Sequence, residues 1–408
     1  MKAQFTPQDS DETSAIVVEA VASDSALEIV GNGSRSQIGR PMVTKSRLST
    51  AGLVGVLLYE PEELVLRVGA GTTLAQINHE LEQHSQMLAF EPPDLGPLLG
   101  ARSNQATIGG IIGGNLAGPR RIKVGAARDH FLGVEAISGR GEAFKSGGRV
   151  VKNVTGYDLC KLMAGSWGTL GIMTEVTLKV LPAPEKTRTI LVGCKNAASA
   201  VSALTVALSS PHDVSGAAWV PSNVTPRSRT DYVSGAGTSI AAVRIEGIGI
   251  STEARTKALR EEMAGFGTIE ELHTHNSVKL WKEICDVRLF GEFQKEDAIW
   301  KISVPPATAP DLLEKFCGEL DADAVLDWGG GLIWLHVRGM VAAGSDFIRK
   351  IVGITGGHAT LVRATEAMRL SQPVFQPEPT PVARLTRNLK QAFDPKGILN
   401  PGRMYKDI

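Results

Sequence analysis

The chain is poor in cysteine, carries no excess charge and has no long apolar run. Its 408 residues include four cysteines, Cys160, Cys194, Cys285 and Cys317, none close to another. Zinc and iron–sulfur sites require ligands at short, repeated spacings, so neither is legible, and the thiols are expected to be reduced and buried. The 43 basic and 43 acidic residues cancel. That balance argues against a nucleic-acid surface or a polybasic membrane anchor. No stretch supplies the roughly 18 consecutive apolar residues of a spanning helix. The opening 14 residues are polar and acidic, unlike a secretory leader. These absences predict a soluble cytoplasmic protein.

Glycine, by contrast, is abundant at 44 residues, which predicts tight turns and close backbone approaches. A first cluster, Gly31-Asn32-Gly33-Ser34-Arg35-Ser36, follows a strand expected at 26–30. It is not a Rossmann fingerprint. Ser36 stands at the third glycine position, Pro41 interrupts the helix that should follow, and residues 37–59 contain no Asp or Glu for a ribose hydroxyl. Two readings remain: an anion cradle of consecutive backbone N–H groups, or an ordinary turn between strands. A second cluster runs from Ala106 to Gly118 and contains Thr107, Gly109, Gly110 and Asn115. Its small residues would let backbone lie against a ligand, with Thr107 and Asn115 as hydrogen-bonding groups, or would serve close packing. A third, Gly165 to Thr174, places Gly168, Thr169, Gly171 and Ile172 at a turn before a β-branched strand, 172–180.

Periodicity organises the rest. Thr72 or Thr73 caps an early helix whose Leu74, Ile77 and Leu81 share one face, and strands are expected at 55–59 and 64–68. Leu181-Pro-Ala-Pro184 marks a boundary. Beyond it the pattern predicts strand 188–193, helix 196–208, strands 216–221 and 239–247, and helix 252–264. A similar series follows: strand 298–304, helix 309–320, strands 324–328 and 332–337, helix 344–354 and strand 359–363. Two β-α-β-β-α runs predict an α+β domain built from ferredoxin-like halves. A proline-rich segment, 372–380, then leads to a last helix at 382–393. The expected domains are 1–185, 186–380 and a tail, 381–408, that returns to the first.

Taken in order and spacing, the three glycine clusters resemble those of flavoproteins of the vanillyl-alcohol oxidase type. Two further stretches carry the likeness: Arg128-Asp129-His130-Phe131-Leu132-Gly133, and the tail from Phe393-Asp394-Pro395 to Asn400-Pro401-Gly402-Arg403. The resemblance implies an α+β fold with a two-part FAD-binding domain and a ferredoxin-like cap domain. It implies FAD as cofactor, held by Gly31, Asn32, Gly33, Ser34, Arg35, Ser36, Thr107, Gly109, Gly110, Asn115, Gly168, Thr169, Gly171 and Ile172. The attachment is expected to be noncovalent, because Arg35 and Ser36 stand where the usual linking histidine would be.

Within the family, the likeness is to the smaller flavin subunits of bacterial glycolate-oxidising complexes. It is carried by Gly118-Pro-Arg-Arg121, Val154-Thr-Gly-Tyr-Asp158 and Gly356-Gly-His-Ala-Thr-Leu361. This implies oxidation of glycolate, a small 2-hydroxy acid, to glyoxylate. The implied partners are a larger catalytic flavin subunit and an iron–sulfur subunit, and any attachment to the inner face of the membrane would be peripheral and through that complex.

One departure bears on mechanism. Relatives acting on 2-hydroxy acids carry an H-x-G-D-G-N-x-H type segment whose histidines hold a divalent metal. The comparable stretch here runs from Asp327 through Trp328 and three glycines to His336, and only its last histidine survives. A metal needs several converging ligands, so none is expected. Oxidation of a 2-hydroxy acid requires a base for the hydroxyl proton and a cation for the carboxylate. Among His130, His336, His358, Arg120, Arg121 and Arg363, the catalytic candidates are His336, His358, Arg120 and Arg121. The competing readings are structural histidines and solvated loop charges. For the whole chain, the alternatives are an electron-relay or assembly subunit, or a stand-alone FAD-linked oxidase of another hydroxy acid or alcohol.

Overall fold

The computed structural model describes residues 3–149 and 156–408, so Val154 and Thr155 of the segment ending at Asp158 lie outside the described residues. The chain forms two compact units. One comprises 1–117, 125–182 and 377–408, the other 118–124 and 183–376.

The first unit begins with strand β1 (Ala3–Phe5) and helix α1 (Ser10–Ala22). The acidic opening segment is therefore helical, for a local reason. Asp9 Oδ1 accepts from the Glu12 amide at 2.8 Å and Glu12 Oε2 accepts from the Gln8 amide at 2.9 Å, which satisfies N–H groups that a helix start leaves open. Its Val17 and Ala20 pack on Leu27, Ile29, Leu48, Ile137, Ile172, Ile398 and Leu399. Strands β2 (Leu27–Val30) and β3 (Ser46–Ser49) complete a small parallel sheet in the order β1-β3-β2. The Gly31–Ser36 turn leaves the end of β2.

A five-stranded antiparallel sheet follows. Strands β4 (Val56–Glu60), β5 (Val65–Gly69), β6 (Phe131–Ser138), β7 (Ala143–Gly147) and β8 (Gly171–Lys179) take the order β4-β5-β8-β6-β7. Val68 and Val134 both face Val176 across the ladder, and all three are buried. Helix α2 (Leu74–Glu82) carries the expected cap, a reciprocal Thr73–Gln76 capping box, and buries Leu74, Ile77 and Leu81. The second glycine cluster forms a short helix, α3 (Ile108–Gly113), whose start is held by Ile108 N to Thr72 O at 2.9 Å and Gly109 N to Ala70 O at 2.8 Å.

The second unit is one eight-stranded antiparallel sheet made of two β-α-β-β-α-β halves. The first half contains β9 (Lys186–Cys194), α4 (Ala197–Ser209), β10 (Val214–Val220), β11 (Ser239–Gly247), α5 (Gly249–Met263) and β12 (Ile269–Leu272). After an intervening helix, α6 (Thr274–Cys285), the second half contains β13 (Ala298–Ser303), α7 (Ala309–Glu319), β14 (Ala322–Asp327), β15 (Leu332–Val337), α8 (Ser345–Ile354) and β16 (His358–Arg363). The order β12-β9-β11-β10-β14-β15-β13-β16 gives each half a ferredoxin-like arrangement, joined where Trp219 of β10 meets Leu326 of β14. Residues 118–124 belong to this unit although they are flanked in sequence by the first. Helix α9 (Thr380–Phe393) begins the last segment of the first unit. There Lys390 Nζ donates to the Thr169 and Leu399 carbonyls, each at 2.8 Å, and to Asp394 Oδ2 at 2.7 Å. No helix among the described residues is long and apolar enough to cross a membrane.

Candidate functional site

In the first unit the three glycine clusters meet along one groove of about 660 Å³. Its wall includes Gly31, Asn32, Gly33, Ser34, Arg35, Ser36, Thr107, Gly109, Gly110, Gly168 and Gly171. The other three expected residues lie off it. Asn115 Oδ1 accepts from the Arg128 amide at 3.0 Å, Thr169 bonds the Ser166 carbonyl at 2.7 Å, and Ile172 is core. Those three shape the segments that present the glycines.

The approach of the clusters explains the residue choice. A Cβ at Gly31 would sit 2.2 Å from Thr107 Oγ1, and one at Gly110 would sit 2.4 Å from Arg35 Nη2. Gly33 needs glycine for conformation, with φ of +76° and open space where a side chain would be. The groove also has a cationic wall that sequence reasoning only half supplied. Arg35 is buried, with Nη2 donating to the Thr107 carbonyl at 3.4 Å and Nη1 finding no partner. Burial, opposed by Asp94 and assisted by the nearby charge of Arg403, pulls its guanidinium down to about 10. Arg403, from the C-terminal tail, donates to the carbonyls of Ile29 at 3.4 Å and Arg35 at 3.3 Å and lies over the Trp167 ring. Buried guanidinium charge beside a glycine-lined wall fits the diphosphate of a dinucleotide, which brings opposite charge and acceptors without needing side-chain space.

The second unit carries the other candidates on one sheet face. His336 of β15 faces Ile299 and Asp323 across its two neighbours, and Trp334, two residues back, faces Lys301 and Val325. Side chains alternate along a strand, so His336, Trp334 and Lys301 share a face. His336 is buried between Phe290 and Phe293, with Nε2 3.0 Å from Asp297 Oδ2 and Nδ1 without a hydrogen-bond partner. Burial lowers the Asp297 carboxyl's tendency to ionise, but the Gln294 amide and His336 outweigh it and hold Asp297 below the usual carboxylate range. Because that carboxylate only accepts, Nε2 carries the proton and Nδ1 the lone pair. Burial keeps the imidazole below its ordinary value despite Asp297.

Arg120 is committed elsewhere. Its Nε and Nη2 make a two-pronged pair with Glu246 at 3.0 and 2.8 Å, and both side chains are buried. Arg121 stacks over the indole of Trp328 at 4.3 Å. On the edge strand β16, His358 keeps much of its surface in solvent, and the desolvation of its covered part together with the charges of Lys301 and Arg121 lowers its imidazole. His130 packs on Phe90 in the first unit, and Arg363 donates to the carbonyls of Asp297 at 2.8 Å and Gln294 at 3.1 Å. Sequence reasoning missed Arg403, Trp167, Asp297, Trp328 and Lys301 as site residues. For Arg403 a signal existed, since it ends the tail motif.

Fold and groove together define a class, the FAD-linked oxidoreductases. Residues 1–147 match the FAD binding domain family, and residues 379–404 match the C-terminal domain of FAD linked oxidases. The chain is 33% identical over 394 residues to the glycolate oxidase subunit GlcE of Escherichia coli, covering 96% of each chain. It is 26% identical to the glycolate oxidase subunit GlcD of Bacillus subtilis, over 99% of this chain and 88% of that one. A 4-ethylphenol oxidase from Gulosibacter chungangensis shares the fold at a TM-score of 0.73 and 13% identity, covering 99% of this chain and 89% of its own. The chain belongs to the vanillyl-alcohol oxidase type family of FAD-binding oxidoreductases, in the branch of the glycolate oxidase subunits.

Proposed function

We propose that this chain is the FAD-carrying subunit of a cytoplasmic complex that oxidises glycolate, or a closely similar 2-hydroxy acid, to the 2-oxo acid. The observation that carries this reading is the near full-length likeness to GlcE, with the groove's glycines and buried arginines gathered in the unit that contains the FAD binding domain match. Noncovalent attachment is supported by the wall itself, where the described lining residues include no His, Cys or Tyr. Bound FAD supplies the two-electron acceptor for carbon–hydrogen bond oxidation.

The chain's own residues supply the proton path. In this reading His336 Nδ1 takes the hydroxyl proton, while its Nε2–H stays on Asp297, whose charge offsets the imidazolium that forms. Electrons leave through partners, a larger flavin subunit and an iron–sulfur subunit, because this chain's cysteines are scattered, and three of the four are buried. A second reading, an electron-relay subunit whose flavin never meets substrate, is favoured by the commitment of Arg120 and His336 to internal carboxylates.

Anaerobic addition of glycolate or lactate separates the two. Bleaching of the flavin in the purified chain supports direct oxidation. Bleaching only after the partner subunits are added supports the relay, and none in the full complex overturns both. Under direct oxidation, His336→Ala should keep FAD content and lose about a hundredfold or more in turnover. Elemental analysis should find no stoichiometric divalent metal, since among the described residues no three His, Cys, Asp or Glu side chains converge. About one zinc or manganese per chain would instead make this a metal-dependent dehydrogenase.

A further inference from the structure

The second unit holds a concentration of positive charge that the proton path leaves unused. Lys301 projects from the middle of β13, on the face it shares with His336. Its ammonium lies 5.3 Å from the centre of the Trp328 indole, and the Arg121 guanidinium lies 4.3 Å from the same ring. Two cations thus converge on one aromatic side chain. Trp328 is itself fixed: its indole N–H donates to the Gly118 carbonyl at 3.1 Å and its amide donates to Asp327 Oδ1 at 2.7 Å. No carboxylate among the described residues lies within ion-pair distance of Lys301, whereas Arg120, one residue from Arg121, has its own in Glu246.

We propose that Lys301 and Arg121, flanking the Trp328 indole, form the anion subsite that receives the carboxylate of a small 2-hydroxy acid. This rests on the 2-hydroxy acid reading and replaces Arg120 with Lys301 as the principal carboxylate-binding group. Register supports the pairing with His336. Lys301 faces Trp334 and His336 faces Ile299, which makes Lys301 and His336 diagonal neighbours on adjacent strands, about 7–8 Å apart at the backbone.

The electrostatics of the locus favour an anion. The charged and titratable groups around Lys301 are Arg121, Asp327 and His358, with His336 and Arg363 farther along the face. Lys301 keeps some surface, but protein surrounds it, and burial with the repulsion of Arg121 pulls its ammonium down to about 8 against the pull of Asp327. A cation held at such a cost gains from an incoming carboxylate. Its affinity for carboxylate should be full below about pH 8 and fall as pH rises through that value.

Isothermal titration of the full-length FAD-loaded protein with oxalate, a dicarboxylate that cannot be oxidised by this route, tests the subsite apart from turnover. Lys301→Gln should weaken oxalate binding by about ten- to a hundredfold, the loss expected for a hydrogen bond between charged groups. Lys301→Arg should restore most of the affinity and move the alkaline fall to higher pH. Arg121→Gln should weaken binding as well. Flavin absorbance and circular dichroism confirm that each variant is folded and loaded. No measurable oxalate binding to the parent protein, or Lys301→Gln affinity within twofold of it, overturns the proposal. If oxalate binds through Lys301 but no hydroxy acid bleaches the flavin in the full complex, the subsite stands and the oxidation reading falls.

Discussion

A Gly31→Ala chain is expected to emerge from purification nearly colourless, with less than about a tenth of the parent's FAD. The added Cβ would lie 2.2 Å from Thr107 Oγ1, 2.9 Å from Cγ2 and 3.1 Å from Cβ. Thr107 cannot swing away freely. It is buried, its hydroxyl caps α3 by accepting from the Gly110 amide at 3.4 Å, and its carbonyl accepts from Arg35. Relief must therefore come from parting the Gly31–Ser36 turn and the start of α3, the two segments that present glycine backbone to the groove. Overpacking of this kind costs about 1–3 kcal/mol, which is up to about a hundredfold in affinity when the distorted surface is the binding wall. The ratio of flavin to protein absorbance after gel filtration reads the effect. Gly31→Ala with Thr107→Ala should regain part of the flavin, because the two closest atoms are then gone. Parent-like flavin content in the single variant would remove the steric account of this glycine.

The contrast between that glycine and the arginines nearby shows what the sequence could reveal. Gly31, Thr107 and Gly110 are legible because turn chemistry is local: a short glycine-rich string already implies backbone on display. Arg403 reaches Ile29 and Arg35 from the other end of the chain, so only the family resemblance drew attention to its tail, and nothing assigned the side chain a place. The same holds in the second unit. Short apolar runs rich in β-branched and aromatic residues made β13 and β15 readable, yet the meeting of Lys301, Arg121 and Trp328 depends on how β13, the turn after β14 and the 118–124 segment assemble. Two of the elements that went unread show why local signal can fail. Strand β12 is Ile269-Glu-Glu-Leu272, too short and half charged to show a period. Helix α6 starts after His273 with no side-chain cap and opens on Thr, His and Asn, poor helix formers. Helix α1 differs, since its Asp9 to Glu12 capping signature was present and the segment was read only for its polarity.

Arg120→Met is expected to destabilise the second unit by about 3–5 kcal/mol, the usual result of stranding one member of a buried ion pair. Glu246 would remain buried with Arg244 Nε at 3.5 Å and the Thr187 hydroxyl at 3.4 Å, neither replacing the two-pronged contact. Arg244 is itself engaged, donating to the Ser215 hydroxyl and carbonyl at 3.1 Å each and stacking on Trp281. The pair also sets a pH signature. Burial alone would raise the Glu246 carboxyl, but the charge of Arg244 and the hydrogen bonds and charge of Arg120 overcome it and hold the group at about 2, against 4.5 for a free glutamate. A carboxyl depressed on folding stabilises the native state above its unfolded value, and that stability drains away as pH falls from about 4.5 towards 2. The shift corresponds to about 3 kcal/mol at neutral pH. Glu246→Gln should therefore flatten the parent's loss of stability across that acid window. Calorimetry at pH 7 should show the Arg120→Met transition of this unit roughly 6–12 °C lower, with Arg120→Lys intermediate because an ammonium cannot grip both oxygens. Replacing both partners, as in Arg120→Met with Glu246→Leu, should recover little of the loss, because it takes from buried Arg244 the carboxylate that it faces at 3.5 Å. An Arg120→Met transition within about 2 °C of the parent would mean that the pair does not anchor the 118–124 segment, and Arg120 would return to consideration as a substrate cation beside Arg121.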